Sequence, residues 1–348
     1  MKKIYFYTFI ILCLIPLAGT FINNETETRE NKTAPPLFMT ENGLNSDYTD
    51  ELDNWYGKNF GFRTYLIEAE NSLYEAVFKQ CLSADVIIGR DGYLFYGETL
   101  NDFRGRSLMT DEEIDETADF LKEIQDFCTA SGVKFLFTVA PNKNSLYPQY
   151  MPYYYKEDKS AGNALRLKAA LLERGVNYLD LFEAFEAREE VLYHKLDSHW
   201  NNKGAALAYE SIMKALGLEY EDYSDIPYSE EYNFDGDLYE MVHPLGSKKD
   251  KNIIFSKDFG FKYTSAVKDD NSNNSITTEN PNKCGSIIMY RDSFGNSLLP
   301  FIAEDFGKGH FLKTKPYELN LIEEENADVF VIEIAERNIP SVVSYKQQ

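Results

Sequence analysis

The segment Leu-Asp-Ser-His-Trp at 196–200 places a carboxylate two residues before an imidazole. On an extended segment, side chains two residues apart point to the same side, so Asp197 can orient His199 and stabilise its protonated form. This is the supporting pair of a serine hydrolase triad, and it needs a nucleophile from elsewhere in the chain. The best candidate is Ser293, in the later segment Arg-Asp-Ser-Phe-Gly at 291–295. The predicted catalytic set is therefore Ser293, His199 and Asp197.

Both parts of this set also have a plainer interpretation. A serine at a helix start is most often an N-cap, although it also lies beside the N–H groups and positive dipole end that stabilise an oxyanion. Asp197 can likewise be a capping carboxylate beside a surface histidine. Of the four histidines, His199 alone has a carboxylate two residues before it and a predicted helix just after it. His194 and His310 lie at predicted strand edges and are interpreted as structural residues. His243 is a weak alternative to His199 as the base.

Four further residues form the predicted oxyanion or substrate-binding set. Asn142 and Lys143 follow the predicted strand 133–139. Asn142 either donates to an oxyanion or caps a turn, and Lys143 is a candidate contact for a substrate oxygen. Trp200 either packs on the imidazole or forms a platform for a sugar ring. Arg291 lies two residues before the candidate nucleophile. No metal site and no cofactor are predicted, because no spacing of Cys and His matches a zinc site.

Strands and helices alternate along most of the chain, which indicates an α/β fold with a parallel sheet, flanking helices and right-handed crossovers. The predicted strands are 133–139, 176–181, 286–290, 310–314 and 329–334, with a short extended segment at 192–196. The predicted helices are 110–130, 161–174, 182–188, 204–216, 296–306 and 318–325. A hairpin is expected over 86–96, and a helix is expected to begin near Arg63. The segment 219–282 breaks the rhythm and is predicted to be a long irregular excursion, a candidate lid on the substrate side.

The N-terminus indicates the compartment. An apolar run from Ile4 to Ile22 follows Lys2 and Lys3 and is long enough to span a bilayer as a helix. The two lysines would stay in the cytoplasm, which places the rest of the chain outside. We therefore predict a signal anchor over 1–22, with a cleaved signal peptide and a secreted protein as the alternative. A flexible tether over 23–43, a main domain over 44–340 and a tail over 341–348 complete the predicted organisation.

The amino-acid composition limits the classes of ligand that the chain can bind. The net charge of −22 makes nucleic acid an unsuitable ligand, since phosphate binding needs the opposite sign, and it favours a neutral or cationic substrate. The many Tyr residues suit sugar rings, although core and interface packing is their commoner role. Cys13 lies in the apolar run, so at most one disulfide is expected among Cys81, Cys128 and Cys284.

Six motifs in order resemble the SGNH-hydrolase-like domain of the alginate O-acetyltransferase family, of the AlgX and AlgJ type, and the related bacterial DHHW proteins. The resemblance covers residues 55–340. The motifs are Phe-Gly-Phe-Arg at 60–63, Val-Ile-Ile-Gly-Arg-Asp-Gly-Tyr-Leu-Phe at 86–95, Ala-Pro-Asn-Lys at 140–143, Asp-Ser-His-Trp at 197–200, Arg-Asp-Ser-Phe at 291–294 and the stretch 327–338.

This resemblance implies an extracytoplasmic serine enzyme that handles acetyl groups on an exported polysaccharide. It implies that Ser293 is the nucleophile, His199 the general base and Asp197 its orienter, with an acetyl-serine intermediate. It also implies a polysaccharide acceptor and a membrane-embedded acyltransferase that supplies the acetyl group. Ser198 stands where the family motif has His, which has little bearing on the mechanism. Arg291 stands where SGNH enzymes usually have Gly, so the resemblance does not identify the groups that donate to the oxyanion. Alginate itself is not carried over as the substrate.

Two alternatives keep the same fold. The first is a carbohydrate O-acetyl esterase with the same triad, in which water takes the place of the sugar hydroxyl. The second is a non-catalytic envelope protein that uses the SGNH fold as a binding module. Labelling of Ser293 by an acetyl donor separates an enzyme from a binding module.

Overall fold

The computed structural model describes residues 2–20, 34–40, 43–158 and 162–345. The chain divides into two compact units, one of Met1–Leu82 with Glu240–Ser247 and one of Ser83–Tyr239 with Lys248–Gln348. Most of the predicted tether over 23–43 lies outside the described residues, as does the end of the predicted tail over 341–348.

The first unit is mainly helical in its described residues. Its elements are α1 (Lys2–Thr20), β1 (Met39–Thr40), β2 (Gly43–Leu44), α2 (Tyr48–Asn59) and α3 (Arg63–Phe78). Across the described ranges, α1 is the one helix that is long and apolar enough to cross a membrane. The helix predicted to begin near Arg63 is confirmed as α3.

The remaining elements alternate between strand and helix. They are β3 (Val86–Ile88), β4 (Leu94–Tyr96), α4 (Thr99–Phe103), α5 (Asp111–Ala130), β5 (Lys134–Ala140), α6 (Lys143–Leu146), α7 (Asn163–Glu173), β6 (Tyr178–Leu179), α8 (Leu181–Glu186), α9 (Asn202–Ala215), β7 (Tyr228–Phe234), α10 (Asp237–Val242), β8 (Asp250–Phe255), β9 (Lys262–Tyr263), β10 (Ser275–Glu279), β11 (Ser286–Tyr290), α11 (Gly295–Asp305), β12 (Lys308–Leu312), α12 (Leu321–Glu324) and β13 (Val329–Ala335).

A seven-stranded sheet of order β6-β5-β13-β11-β12-β10-β9 forms the centre of the second unit. The first five strands are parallel, whereas β10 pairs antiparallel with both β12 and β9. This confirms the predicted α/β fold with a parallel sheet and flanking helices. Because the strands β5, β13 and β11 are parallel neighbours, the loops after them meet at one edge of the sheet.

Side chains on the two faces of the sheet form two separate cores, because successive residues of a strand point to opposite faces. On β13, Val329, Val331 and Ala335 belong to one core, and Phe330, Ile332 and Ile334 belong to the other. Helices α9 and α11 cover the first face, and α5 and α7 cover the second. Strands buried on both faces read as continuous apolar runs, which is why β5, β11 and β13 are predictable from the sequence.

The segment 219–282 is more regular than predicted. It contains the antiparallel pair β7 and β8, and it supplies β9 and β10 to the edge of the central sheet. The prediction of an irregular excursion is therefore wrong for these strands. The physical reason is that β7 is exposed over most of its length and β10 buries only Ile276 and Thr278 deeply, so neither carries a strong apolar pattern.

Smaller corrections concern element lengths and cysteines. Strand β6 and helix α12 are shorter than predicted, and within 192–196 only Tyr193 takes part in pairing, as an isolated bridge to Trp200. Thr110 caps the N-terminus of α5 through a reciprocal pair of hydrogen bonds with Glu113. All four cysteines are free thiols, so none of the disulfides left open among them forms.

Candidate active site

Ser293 lies in the turn that joins β11 to α11, at the carboxyl edge of the sheet. The carboxylate of Asp292 holds this turn. Its Oδ1 accepts the backbone N–H of Phe294 at 2.9 Å, and its Oδ2 accepts the N–H of Ala335 at 2.5 Å and the amide of Asn338 at 2.9 Å. The turn that carries Ser293 is thereby fixed to the end of the neighbouring strand β13.

Asp197 and His199 lie in a tight loop that precedes α9. The loop closes through the bridge between Tyr193 and Trp200 and through the N–H of His194, which donates to the carbonyl of His199 at 3.1 Å. Asn201 then caps α9, because its side-chain oxygen accepts the N–H groups of Lys203 and Gly204. The loop therefore presents both side chains in a defined orientation.

The fold brings Ser293, His199 and Asp197 together. The Oγ of Ser293 lies 2.7 Å from Nε2 of His199, and Nδ1 of His199 lies 2.7 Å from Oδ1 of Asp197. The same oxygen of Asp197 also accepts the backbone N–H of His199 at 2.8 Å. This chain of hydrogen bonds is the arrangement by which an imidazole can take a proton from a hydroxyl while a carboxylate stabilises the resulting charge.

Asp237 is a further member of the cluster that the sequence reasoning missed. Its backbone N–H donates to Oδ2 of Asp197 at 2.9 Å. Its carboxylate accepts the N–H of Ser198 at 2.8 Å and the hydroxyl of Ser198 at 2.6 Å, and it lies 3.7 Å from Nδ1 of His199. Nothing local marks this residue, since it lies within the segment predicted to be irregular.

Burial and charge act in opposite directions on these groups. Burial raises the pKa of Asp197, but the charge and hydrogen bond of His199 outweigh it and hold that pKa well below its usual range. Burial lowers the pKa of His199, but Asp197 and then Asp237 outweigh it, so the pKa of this imidazole is raised. The pKa of Asp237 is raised by burial and by the nearby charge of Asp197. The two carboxylates therefore stabilise the imidazolium that forms when His199 takes up a proton.

One ligand atom from each of Asp197, His199 and Asp237 lies within 4.8 Å of the others, which is close enough to hold a metal ion. However, the carboxylate oxygens already accept N–H or O–H groups, and Nε2 of His199 is bonded to Ser293. The arrangement is therefore better suited to holding a proton than to binding a cation.

Three of the four predicted oxyanion or substrate-binding residues direct their polar groups into the protein. Lys143 is buried, and its Nζ donates to the carbonyls of His194 and Asp197 at 2.9 and 2.6 Å. Its pKa is lowered to about 8 by burial. This geometry favours support of the Asp197 loop over contact with substrate.

Arg291 and Trp200 are also buried. The guanidinium of Arg291 donates to the side chain of Asn296 at 2.7 Å and to the carbonyl of Asn271 at 2.9 Å. The indole N–H of Trp200 donates to the carbonyl of Phe294 at 3.1 Å, and its ring is 1% exposed. Trp200 thus packs in the core, so its alternative role as a sugar platform has no support in this geometry.

Asn142 differs from these three residues. It is 1% exposed, and its backbone N–H donates to Glu336 at 2.8 Å. Within the residues that the structure describes, neither atom of its side-chain amide has a hydrogen-bond partner. A buried amide without a protein partner is costly and therefore uncommon, so Asn142 stands out as a side chain with hydrogen-bonding capacity to spare.

Arg337, the second residue after β13, is a second feature that the prediction missed. Its guanidinium lies 5.3 Å from the ring centre of Phe294, the residue next to Ser293, and 5.5 Å from that of Tyr96. Its positive charge acts to lower the pKa of His199. Among the described residues, no carboxylate forms an ion pair with it. A basic residue at the end of a central strand is the sequence signal that could have identified it.

His194 and His310 are held by contacts outside the triad. His194 stacks on Phe234 with ring centres 3.8 Å apart. His310 lies 2.9 Å from Oγ of Ser275 and 2.6 Å from a carboxylate oxygen of Glu325, so it also joins a serine to an acid. However, Ser275 begins the strand β10, so no helix N-terminus follows it to stabilise an oxyanion.

Comparison with known proteins supports this fold. Residues 86–252 match the family model of the SGNH hydrolase-like domain of the acetyltransferase AlgX. This range includes Asp197 and His199, and Ser293 lies beyond it. The chain is similar to the probable alginate O-acetylase AlgJ of Pseudomonas aeruginosa, with 24% identity over 140 residues. That match covers 38% of this chain and 32% of the relative, so it spans about a third of the relative's length.

Two solved structures share the fold. PatB1 of Bacillus cereus, in a structure with a sulfonyl adduct, superposes with a TM-score of 0.59 and 17% identity, over 75% of this chain and 98% of that chain. A DHHW family protein of Eubacterium siraeum gives a TM-score of 0.57 and 16% identity, over 75% of this chain and 95% of that chain. The predicted resemblance to the AlgX and AlgJ type of SGNH-like domain and to DHHW proteins is thus confirmed.

Proposed function

We propose that this chain is an extracytoplasmic O-acetyltransferase that transfers acetyl groups to hydroxyls of a cell-envelope or secreted polysaccharide. The observation that carries the proposal is the continuous chain of hydrogen bonds from Ser293 through His199 to Asp197. The names of the matched relatives, an acetyltransferase and a probable alginate O-acetylase, support the acetyl group as the cargo.

The first step forms an acetyl-serine. Nε2 of His199 takes the proton of Ser293 while Oγ attacks the carbonyl carbon of an acetyl ester. The carbonyl π electrons move to oxygen and form a tetrahedral oxyanion. When the oxyanion collapses, the bond to the donor oxygen breaks, and that oxygen takes the proton from the His199 imidazolium. Asp197 stabilises the imidazolium through its 2.7 Å contact to Nδ1.

The second step releases the acetyl group. A hydroxyl of the acceptor sugar gives its proton to Nε2 of His199 and attacks the acetyl carbon of the intermediate. The bond to Ser293 breaks on collapse, and the proton returns to Oγ. The product is an acetyl ester on the polysaccharide and a free enzyme.

The oxyanion needs hydrogen-bond donors that are in place before reaction. We assign this task to the side-chain amide of Asn142, supported by its burial and by the lack of another partner among the described residues. Arg337 adds a positive charge on the side of Phe294. Lys143, Arg291 and Trp200 act as positioning residues in this proposal, because each uses its polar group to hold the loops that carry the triad.

In this proposal α1 anchors the chain in the membrane, and a membrane-embedded acyltransferase supplies the acetyl group. If α1 spans the membrane, it tethers the chain to the membrane, where a membrane-embedded acyltransferase can deliver acetyl groups. The strongly negative chain favours a neutral or cationic polysaccharide as the acceptor.

An acetyl esterase with the same triad is the second candidate. The observation that favours it is that 22% of the His199 side chain is exposed, so water has access to the base. Transfer and hydrolysis then compete for the same acetyl-serine. Comparing acetyl groups found on an added oligosaccharide with those released as acetate separates the two activities.

The test of the proposal is to look for acetyl on Ser293. The full chain in detergent is incubated with an activated acetyl ester, or with a sulfonyl fluoride, and digested for mass spectrometry. Modification is expected on Ser293, to be lost in Ser293→Ala and kept in the matched control Ser275→Ala, since Ser275 also contacts a histidine. A folded chain that carries no label on Ser293 would overturn the enzymatic assignment.

A further inference from the structure

Helix α3 has its apolar side outward and its polar side inward. The residues on its inner side are at least half-buried, and they include Glu68, Asn71 and Glu75. The residues on its outer side are exposed and mostly apolar. The apolar ones among them, called the α3 stripe below, are Tyr65, Leu66, Ala69, Leu73, Ala76 and Val77, and the exposed polar residues Glu70 and Ser72 border them. A helix on the surface of a globular protein normally shows the opposite arrangement.

The inner side of α3 is held by polar contacts within the same unit. The amide of Asn71 donates to the carbonyl of Val242 at 2.7 Å. His243 lies between two carboxylates, with Nδ1 3.0 Å from Glu68 and Nε2 2.8 Å from Glu75. These contacts fix the rotation of α3 about its axis, so the outward orientation of the stripe is specific.

The α3 stripe is strongly exposed. Leu66 is 46%, Leu73 is 67% and Val77 is 61% exposed. Within the described ranges, no other element covers these side chains. Large apolar side chains grouped on one face of a soluble surface indicate a contact with another apolar phase.

Helix α3 begins next to the end of the apolar helix α1. The backbone N–H of Gly61 approaches the carbonyl of Pro16 at 3.1 Å and the hydroxyl of Thr20 at 3.2 Å. A Cβ atom on Gly61 would lie only 2.1 Å from the carbonyl carbon of Gly19, so this approach needs glycine. The start of α3 therefore lies at the level at which a membrane-spanning α1 would leave the bilayer.

The segment around α2 and α3 is rich in aromatic residues. Its aromatic residues include Phe38, Tyr48, Trp55, Tyr56, Phe60, Phe62, Tyr65, Tyr74 and Phe78. Leu37, Phe38 and Met39, which precede α2, are also at least 60% exposed. Tyr and Trp concentrate where a protein meets the interface between lipid and water, since their rings are apolar with a polar edge.

We infer that the α3 stripe rests on the outer surface of the same bilayer that α1 enters, with its apolar side chains in the headgroup region. This inference depends on the proposed membrane insertion of α1, and it is independent of the acetyl chemistry. Lipid is preferred to a protein partner because the stripe continues from α1 and because Glu70, the one exposed charged residue of α3, lies at its border. A second copy of the chain and a protein partner are the competing occupants.

The experiment uses the full chain in phosphatidylcholine vesicles. Cys13, Cys81 and Cys284 are replaced by Ala, and the buried Cys128 is kept. A fluorophore is attached at Leu73→Cys or, as the control, at the exposed Asp126→Cys on α5. Quenching by nitroxide-labelled lipid and by aqueous iodide is then compared between the two positions.

The label at position 73 is expected to be quenched by lipid nitroxide several-fold more than the label at 126, and less by iodide. Equal quenching at both positions would overturn the inference. Protection from iodide without lipid quenching would also overturn it, since it would show a second copy or a protein partner on the stripe. A chain that separates from the vesicles on flotation would overturn the inference, because α1 would then not be inserted in the bilayer. This outcome does not depend on whether Ser293 accepts an acetyl group. A label at Leu66→Cys repeats the test if Leu73→Cys fails to fold.

Discussion

The backbone N–H of Asp237 donates to Oδ2 of Asp197 at 2.9 Å, although the two residues are 40 positions apart in the chain. The other oxygen of Asp197 accepts both N–H groups offered by His199. The carboxylate is thus held on two sides and cannot rotate away from the imidazole. Asp237 also brings a second carboxylate to within 3.7 Å of Nδ1. We regard it as a positioning residue for the imidazole.

Asp237→Asn is expected to move the pH profile of acetyl transfer to lower pH by about one unit. Both carboxylates raise the pKa of His199. In the proposed mechanism this base acts in its neutral form, so the acid limb in wild type is expected above the ordinary value of about 6.5. Removing one negative charge lowers that pKa, and activity then begins at a lower pH. The measurement is the pH dependence of kcat/KM.

The matched control for this change is Asp235→Asn. Asp235 lies two residues earlier and pairs with Lys249 at the surface. Its loss should leave the acid limb in place. A limb that is the same in Asp237→Asn and wild type would show that the charge of Asp237 does not reach the base.

Asn142→Ala is expected to lower kcat by about a hundredfold to a thousandfold with little change in KM, as for the loss of one oxyanion donor. Asn144, two residues later, is equally buried, but its amide donates to the carbonyl of Thr99 at 3.3 Å. Asn144→Ala should therefore reduce thermal stability while leaving kcat within about threefold. If both variants lose kcat in proportion to their melting temperatures, Asn142 has only a structural role.

Lys143→Met is expected to lower the free energy of unfolding by about 2–4 kcal/mol, because it leaves buried carbonyls of the Asp197 loop without a donor. Burial lowers the pKa of Lys143 to about 8. The unfolded chain then binds more protons than the native chain between about pH 8 and pH 10, so this lysine makes stability rise with pH there.

Denaturant unfolding at pH 7 and pH 10 measures both effects of Lys143→Met. The contribution of Lys143 to the rise should be missing in the variant. Lys122→Met, which removes a surface pair with Asp126, is the control and should change stability by less than about 0.5 kcal/mol. An unchanged slope in Lys143→Met would assign the titration to another group.

The parts of the site that the sequence predicts are those encoded locally. Asp197 and His199 are two residues apart, and Ser293 follows a strand that is buried throughout, so the local pattern marks both parts of the site. Asp237 could not be found in this way, since its position depends on how the segment 219–282 folds back. That segment has weak apolar patterns, and its strands β9 and β10 join an edge of the sheet.

The type of a residue alone also does not predict whether its side chain is buried. Lys143 and Arg291 have the chemistry of substrate ligands, but both are 4% exposed and donate to backbone carbonyls. Such contacts depend on the paths of distant loops, which no local pattern encodes. The periodicity of α3 likewise predicts a helix but does not tell which of its sides faces the protein.

Arg337→Ala is expected to lower kcat/KM by about tenfold to a hundredfold, with partial rescue in Arg337→Lys. The guanidinium lies beside Phe294, and its charge lowers the pKa of His199. Removing it raises that pKa and moves the acid limb to higher pH.

If this were its whole effect, the variant would regain full activity on the alkaline plateau. We expect the loss to persist there, because in the proposed mechanism the charge also stabilises the developing oxyanion. Arg104→Ala, which removes a guanidinium over the ring of Tyr155 at 5.7 Å, is the control and should keep kcat/KM near wild type. Full recovery of Arg337→Ala at high pH would restrict Arg337 to tuning the base.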